Sequence, residues 1–198
     1  MNKKAEKILN TTIKLFIREG IKKITMDDIA ENTNASKVTI YKYFTDKDTL
    51  YLEVGKHILS NYTAKMKNII ESNEVLINKL YDYLTVIGDF INSGEFDLCT
   101  ELIRYNQDVE AEYKLYLQTY RDSMFALIDN GMKDGMFKNN LDRDMIFHYI
   151  NMGIIYYQQS FEYRYKILND SNFKQRFLLF HISNIFIDGE KMLSGHLR

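Results

Sequence analysis

The stretch Thr25-Met26-Asp27-Asp28-Ile29-Ala30-Glu31-Asn32-Thr33-Asn34-Ala35-Ser36-Lys37-Val38-Thr39-Ile40-Tyr41-Lys42-Tyr43 decides how this chain is read. Thr25 and Asp28 have capping-box spacing ahead of apolar Ile29, which opens a helix through about Asn32. Thr33-Asn34-Ala35 forms a tight turn, and Ser36 is the N-cap of a second short helix ending at Tyr43. Two short helices across such a turn have the proportions of a DNA-binding helix-turn-helix. On the second, Ile40 and Phe44 lie one turn apart and face inward, leaving Lys37, Val38, Thr39, Tyr41 and Lys42 outward. Donors, methyls and phenols beside positive charge suit the major groove, where base edges are distinguishable, and a helix N-terminus favours phosphate. The same spacing also fits a solvated helix pair in an ordinary bundle.

Helical periodicity continues on both sides. Upstream, Ile8, Thr12, Leu15 and Phe16 share a face, and Gly20 stands where a C-terminal glycine cap belongs. Downstream, Thr45-Asp46-Lys47-Asp48 is a second capping-box pattern. It opens a long helix with apolar face Leu50, Val54, Ile58, Tyr62, Met66 and Ile69, a rigid connection from the head to the rest of the chain. Leu76, Leu80, Leu84, Ile87 and Ile91 mark a helix ending near Gly94, and a short one spans Glu95–Tyr105. Tyr113, Leu117, Tyr120, Met124 and Leu127 mark the next, ending between Asn130 and Gly135. Asp142 caps a helix through about Tyr165, and Asp170 or Ser171 caps one through about Leu193. With no proline and only nine glycines, nothing interrupts long helices. The expected fold is all-α with about nine helices: a three-helix head over residues 1–47 and a helical body over 48–198.

Charge and composition narrow the function. The formal net charge is -1, which excludes a uniformly basic nucleic-acid coat. Residues 1–50 nevertheless carry ten Lys/Arg against seven Asp/Glu, and the remainder 16 against 20, a basic head on an acidic body. A single cysteine, Cys99, rules out an internal disulfide framework. His57, His148, His181 and His196 lack metal-ligand spacing, and there is no phosphate-binding glycine loop, dinucleotide fingerprint or nucleophile elbow. Asp27 and Asp28 sit at a helix start, where acids complement the dipole. No catalytic residue, metal or cofactor is expected. The amphipathic start and the lack of an apolar run near the ~20 residues that span a bilayer point to a cytoplasmic protein without a membrane partner.

Three segments taken together carry a resemblance. They are Ile8-Leu9 with Thr12, Leu15, Phe16 and Gly20; Thr25-Met26-Asp27-Asp28-Ile29-Ala30; and Ser36-Lys37-Val38-Thr39-Ile40-Tyr41-Lys42-Tyr43-Phe44 with Lys47 and Leu50. In order and spacing this resembles the N-terminal domain of the tetracycline-repressor (TetR) family, over about the first 50 residues. The resemblance implies a homodimer with one head per subunit on a palindromic double-stranded DNA operator. It implies that Lys37 and Thr39 reach bases or nearby phosphates and that Tyr41 and Tyr43 donate to phosphates. Lys47 would contact the backbone and Thr25 would lie against phosphate; Ser36, Val38 and Lys42 complete the expected DNA-facing set. Many family members carry glycine at the positions of Asn34 and Val38. Asn tolerates the left-handed turn, while Val38 puts bulk where the family keeps close contact with DNA.

For the body, the resemblance implies a small-molecule effector between helices, whose binding releases the operator. Tyr62, Leu84, Ile87, Leu102, Tyr113, Leu117, Met124, Met152 and Tyr156 are expected to point inward and line a pocket for a hydrophobic or aromatic ligand. The same stripe is equally the pattern of plain core. The last two helices are apolar on more than one face: Met145, Tyr149, Met152 and Tyr156 form one stripe, Ile146, Ile150, Ile154, Tyr157 and Phe161 another. Ile150, Ile154, Tyr157, Phe161, Phe177, Ile182 and Ile185 are expected at a dimer seam. The alternative function is a DNA-bound adaptor whose body recognises another protein.

Overall fold

A computed structural model describes residues 2–189 and 191 as ten helices, with no strand among them. They are α1 (Lys3–Glu19), α2 (Met26–Thr33), α3 (Lys37–Tyr43), α4 (Lys47–Glu71), α5 (Leu76–Asn92), α6 (Glu95–Leu102), α7 (Gln107–Lys133), α8 (Arg143–Gln159), α9 (Phe161–Asn169) and α10 (Ser171–Ser183). The all-α reading stands, with one more helix than expected. The extra one comes from Ser160, whose extended backbone ends α8 while its hydroxyl accepts from Tyr163 N and starts α9. The last helix also stops early, at Ser183. The following turn places Phe186 opposite Phe137, with Lys138 N donating to Ile185 O and Ile187 N to Met136 O, both at 3.0 Å. The expected helix end at Leu193 and His196 lie outside the described residues.

Packing divides the chain into two units. The first runs through Thr63 and includes Phe90–Gln118; the second comprises Ala64–Asp89 and the chain from Thr119 onward. In the first unit, α1 buries Ala5, Ile8, Leu9, Ile13, Leu15 and Phe16, and α2 packs against both α1 and α3. Ile21, Ile29, Ile40 and Leu50 are fully buried beside them. Thr12 is buried too, its hydroxyl donating to the Ile8 carbonyl at 2.9 Å, so no polar atom is stranded. The start of α4 is held by Asp46 rather than by Thr45 as the sequence pattern indicated. Thr49 N donates to Asp46 Oδ1 at 2.7 Å, which also lowers the Asp46 pKa. Asn106 Nδ2 donates to the Asp48 carbonyl at 2.9 Å, and Gly55 lets Val109 approach α4 closely.

The second unit is organised around Tyr83 and Tyr120, whose rings lie 5.7 Å apart. Tyr120 OH donates to Asn151 Oδ1 at 2.7 Å, tying α7 to α8, and burial raises both phenols well above their ordinary pKa. At the end of α7, Gly131 lies under Leu76 and Phe137; an added Cβ would sit 2.6 Å from Phe137 Cε2. Phe137 is itself buried, with its ring 4.8 Å from that of Phe186. Gly131→Ala is therefore expected to cost about 1–3 kcal/mol through overpacking, outweighing the gain of up to ~1 kcal/mol in helix propensity. Urea unfolding checks this, and a stability gain would contradict it.

Candidate nucleic-acid interface

The geometry of the α2–α3 pair follows from three local devices. At the entry to α2, the Thr25 hydroxyl accepts from Asp28 N at 3.2 Å and donates to Asp28 Oδ2 at 2.6 Å. Thr25 N reaches the same carboxylate at 2.8 Å, so the capping box is complete. These bonds lower the Asp28 pKa. At the exit, Asn34 adopts the left-handed conformation (φ 54°, ψ 37°), and Ala35 N donates to the Ala30 carbonyl at 3.1 Å. Ser36 then caps α3, accepting from Thr39 N at 3.2 Å, and its hydroxyl bonds that of Thr39 at 2.9 Å. The Thr25 proton and the Ser36–Thr39 pair thus hold helix starts.

Burial of Ile40 and Phe44 orients α3. Lys37, Val38, Tyr41 and Lys42 are exposed, Val38 to 80%, while Thr39 and Tyr43 are half-buried at the edges. Lys47, at the first turn of α4, is half-buried with its ammonium 5.7 Å from the centre of the Tyr51 ring. All nine expected DNA-facing residues therefore fall on α3, its cap, the start of α2 or the start of α4. One member was missed. Asp27 Oδ1 lies 2.6 Å from Lys37 Nζ, and this hydrogen bond and charge raise the lysine pKa. No sequence period signals a contact that crosses the turn.

The residues expected to line a ligand pocket divide. In the first unit, Tyr62 is buried, its phenol donating to Glu95 Oε2 at 2.7 Å and its ring 4.4 Å from Phe90. Leu102 is also buried there, and Tyr113 is half-buried, stacked on Tyr116. In the second unit Leu84, Ile87 and Met124 are buried. Leu117, Met152 and Tyr156 are exposed, against expectation.

The dimer expectations need a matching correction. Ile150, Tyr157, Ile182 and Ile185 are buried within the second unit, Ile154 and Phe177 are half-buried, and only Phe161 is exposed. The two apolar stripes of α8 are inverted, because periodicity alone cannot tell which of two apolar faces turns inward. Asn151 and Gly153 decide it: one receives the Tyr120 hydroxyl, and the other gives His181 room, where a Cβ would lie 3.1 Å from Nε2. Met145, Met152, Ile155 and Tyr156 remain outside, continued by Phe161, Tyr165 and Leu168 on α9.

The remaining reactive groups have structural surroundings. His57 Nε2 pairs with Asn10 Oδ1 at 2.9 Å, and His181 stacks on Tyr149 with its pKa lowered by burial. Burial pushes the Cys99 thiol up to about 12. Among the described residues, no three His, Cys, Asp or Glu side chains gather as a metal site, and no helix is long and apolar enough to cross a membrane.

Comparison with known proteins agrees with this geometry. Residues 8–54 match the family model described as "Bacterial regulatory proteins, tetR family". The chain is 28% identical over 143 residues to the HTH-type transcriptional regulator YerO of Bacillus subtilis, covering 67% of this chain and 50% of YerO. It thus spans half the length of that relative. It is 22% identical over 191 residues to IcaR of Staphylococcus epidermidis, the HTH-type negative transcriptional regulator of the biofilm operon icaADBC, covering 92% of this chain and 98% of IcaR. Among solved structures, the ketosteroid transcriptional regulator KstR2 of Mycobacterium tuberculosis shares the fold with a TM-score of 0.65 at 16% identity, over 95% and 97% of the two chains.

The left-handed residue between the two helices gives a direct test of how the turn is held. Asn34→Val is expected to destabilise the chain by about 1–2 kcal/mol, since a β-branched side chain fits poorly at positive φ, whereas Asn34→Gly stays within about 0.5 kcal/mol. Denaturant unfolding of both variants checks this; equal stability would contradict it.

Proposed function

The chain belongs to the TetR family of helix-turn-helix transcriptional regulators, and we propose that it works in the cytoplasm as a dimeric repressor released from a palindromic operator by a small hydrophobic or aromatic ligand. The observation that carries the reading is the outward surface of α3, where Lys37, Val38, Tyr41 and Lys42 project beside a capped N-terminus. In this reading residues 1–47 read DNA, while residues 48–198 bind effector and partner. Recognition helices of such dimers meet half-sites about 34–36 Å apart. Three residues separate α3 from α4, and α4 carries Tyr62, so this helix is the covalent route from the head to the aromatic cluster described below. An effector that prefers a different head spacing weakens DNA binding by its coupling free energy, typically about 1–3 kcal/mol.

The exposed apolar row of Met145, Met152, Ile155 and Tyr156 on α8 with Phe161 and Tyr165 on α9 supports pairing with a second subunit. Tyr62, Phe90 and Tyr116 pack ring on ring, with Glu95 accepting from the Tyr62 phenol, a largely apolar setting with one polar group that an effector of the proposed kind would have to open.

Salt titration of DNA binding tests the reading. Lys47→Ala is expected to weaken binding to every duplex and reduce the slope of log affinity against log salt by about one unit per protomer. Tyr41→Ala is expected to weaken binding with little change in slope. Asp27→Asn frees the Lys37 ammonium and is expected to strengthen binding at low salt and steepen the slope by about one unit per protomer. Unchanged curves for all three variants would remove α3 and the start of α4 from the interface.

A further inference from the structure

Val38 is the most exposed large apolar side chain among the described residues, at 80%. It sits in the first turn of α3, a helix of only seven residues, where a β-branched side chain favours the helix less than alanine would. Solvation gives no reason for an isopropyl group at the centre of an otherwise polar surface. Its neighbours sharpen the point. Lys37 is engaged by Asp27, and the Ser36 and Thr39 hydroxyls bond each other. The sequence of α3, Lys37-Val38-Thr39-Ile40-Tyr41-Lys42-Tyr43, contains no Arg, Asn or Gln. It therefore lacks the bidentate guanidinium that reads guanine and the amide that reads adenine. Tyr41, one turn further on, is exposed on the adjoining surface.

We propose that Val38 is a specificity-determining residue that reads the C5-methyl group of a thymine in each operator half-site. The major groove displays one apolar feature, that methyl group, and the first residues of a recognition helix are those that meet base edges. Cytosine at the same place presents only a C5–H, so the contact favours thymine by its methyl group. This inference rests on α3 being the groove-entering helix and adds which base it selects.

The test uses the full chain. Duplexes that it retains are selected from a random library, and each thymine of a retained duplex is replaced in turn by deoxyuridine, which removes only the methyl. One thymine per half-site is expected to show a loss of about fourfold in affinity, the size of one buried methyl. In Val38→Ala, which starts with weaker binding to the thymine duplex, the same replacement is expected to change affinity by less than twofold. Val38 is exposed, so the variant is expected to keep the native helix content, which circular dichroism checks. Binding that is indifferent to every thymine methyl, or a loss of equal size in Val38→Ala, overturns this inference and leaves the DNA-binding reading intact. Retention of no duplex at all overturns both.

Discussion

The burial of Ile40 and Phe44 is the constraint on which the functional surface depends. α3 is too short to hold an orientation by its own hydrogen bonds, since isolated helices of this length are unstable in water. Two buried apolar side chains one turn apart fix its rotation. Lys37, Val38, Tyr41 and Lys42 are thereby sent outward. The caps at Thr25 and Ser36 and the left-handed Asn34 set where the helices begin and end. The surface they present combines positive charge with the exposed side chains of Val38 and Tyr41.

Around that surface, charge is arranged for discrimination as much as for attraction. The chain is nearly neutral, so long-range pull toward nucleic acid comes from the head alone. In the proposed role, Asp27 restrains even that by pairing with Lys37. An exposed ion pair contributes little to folding, so its value lies in what it withholds: a lysine that reaches phosphate on any sequence adds affinity without selectivity. A moderated charge and an exposed methyl reader point in the same direction, toward selective binding.

Much of this was legible in the sequence because it is local. The capping box, the turn and the inward pair are each encoded within four residues, and the family pattern spans the head without a gap. Features that depend on contacts distant in sequence were not. The Asp27–Lys37 pair crosses a turn, and Ser160 breaks a helix in a stretch whose neighbours all tolerate helix. The two apolar stripes of α8 could not be ordered by period. Asn151 and Gly153, which settle the order through Tyr120 and His181, look unremarkable in one dimension. At the start of α4, the Asp46 carboxylate, one position later, took the capping place of the Thr45 hydroxyl.

The central claim is that two copies of α3 lie in successive major grooves of one duplex. A hydroxyl-radical footprint of the full chain on a duplex that it selects tests this most directly. The account predicts two protected tracts related by twofold symmetry, their centres about one helical turn apart, at two chains per duplex. A single tract, a stoichiometry of one, or uniform cleavage along the duplex would contradict it.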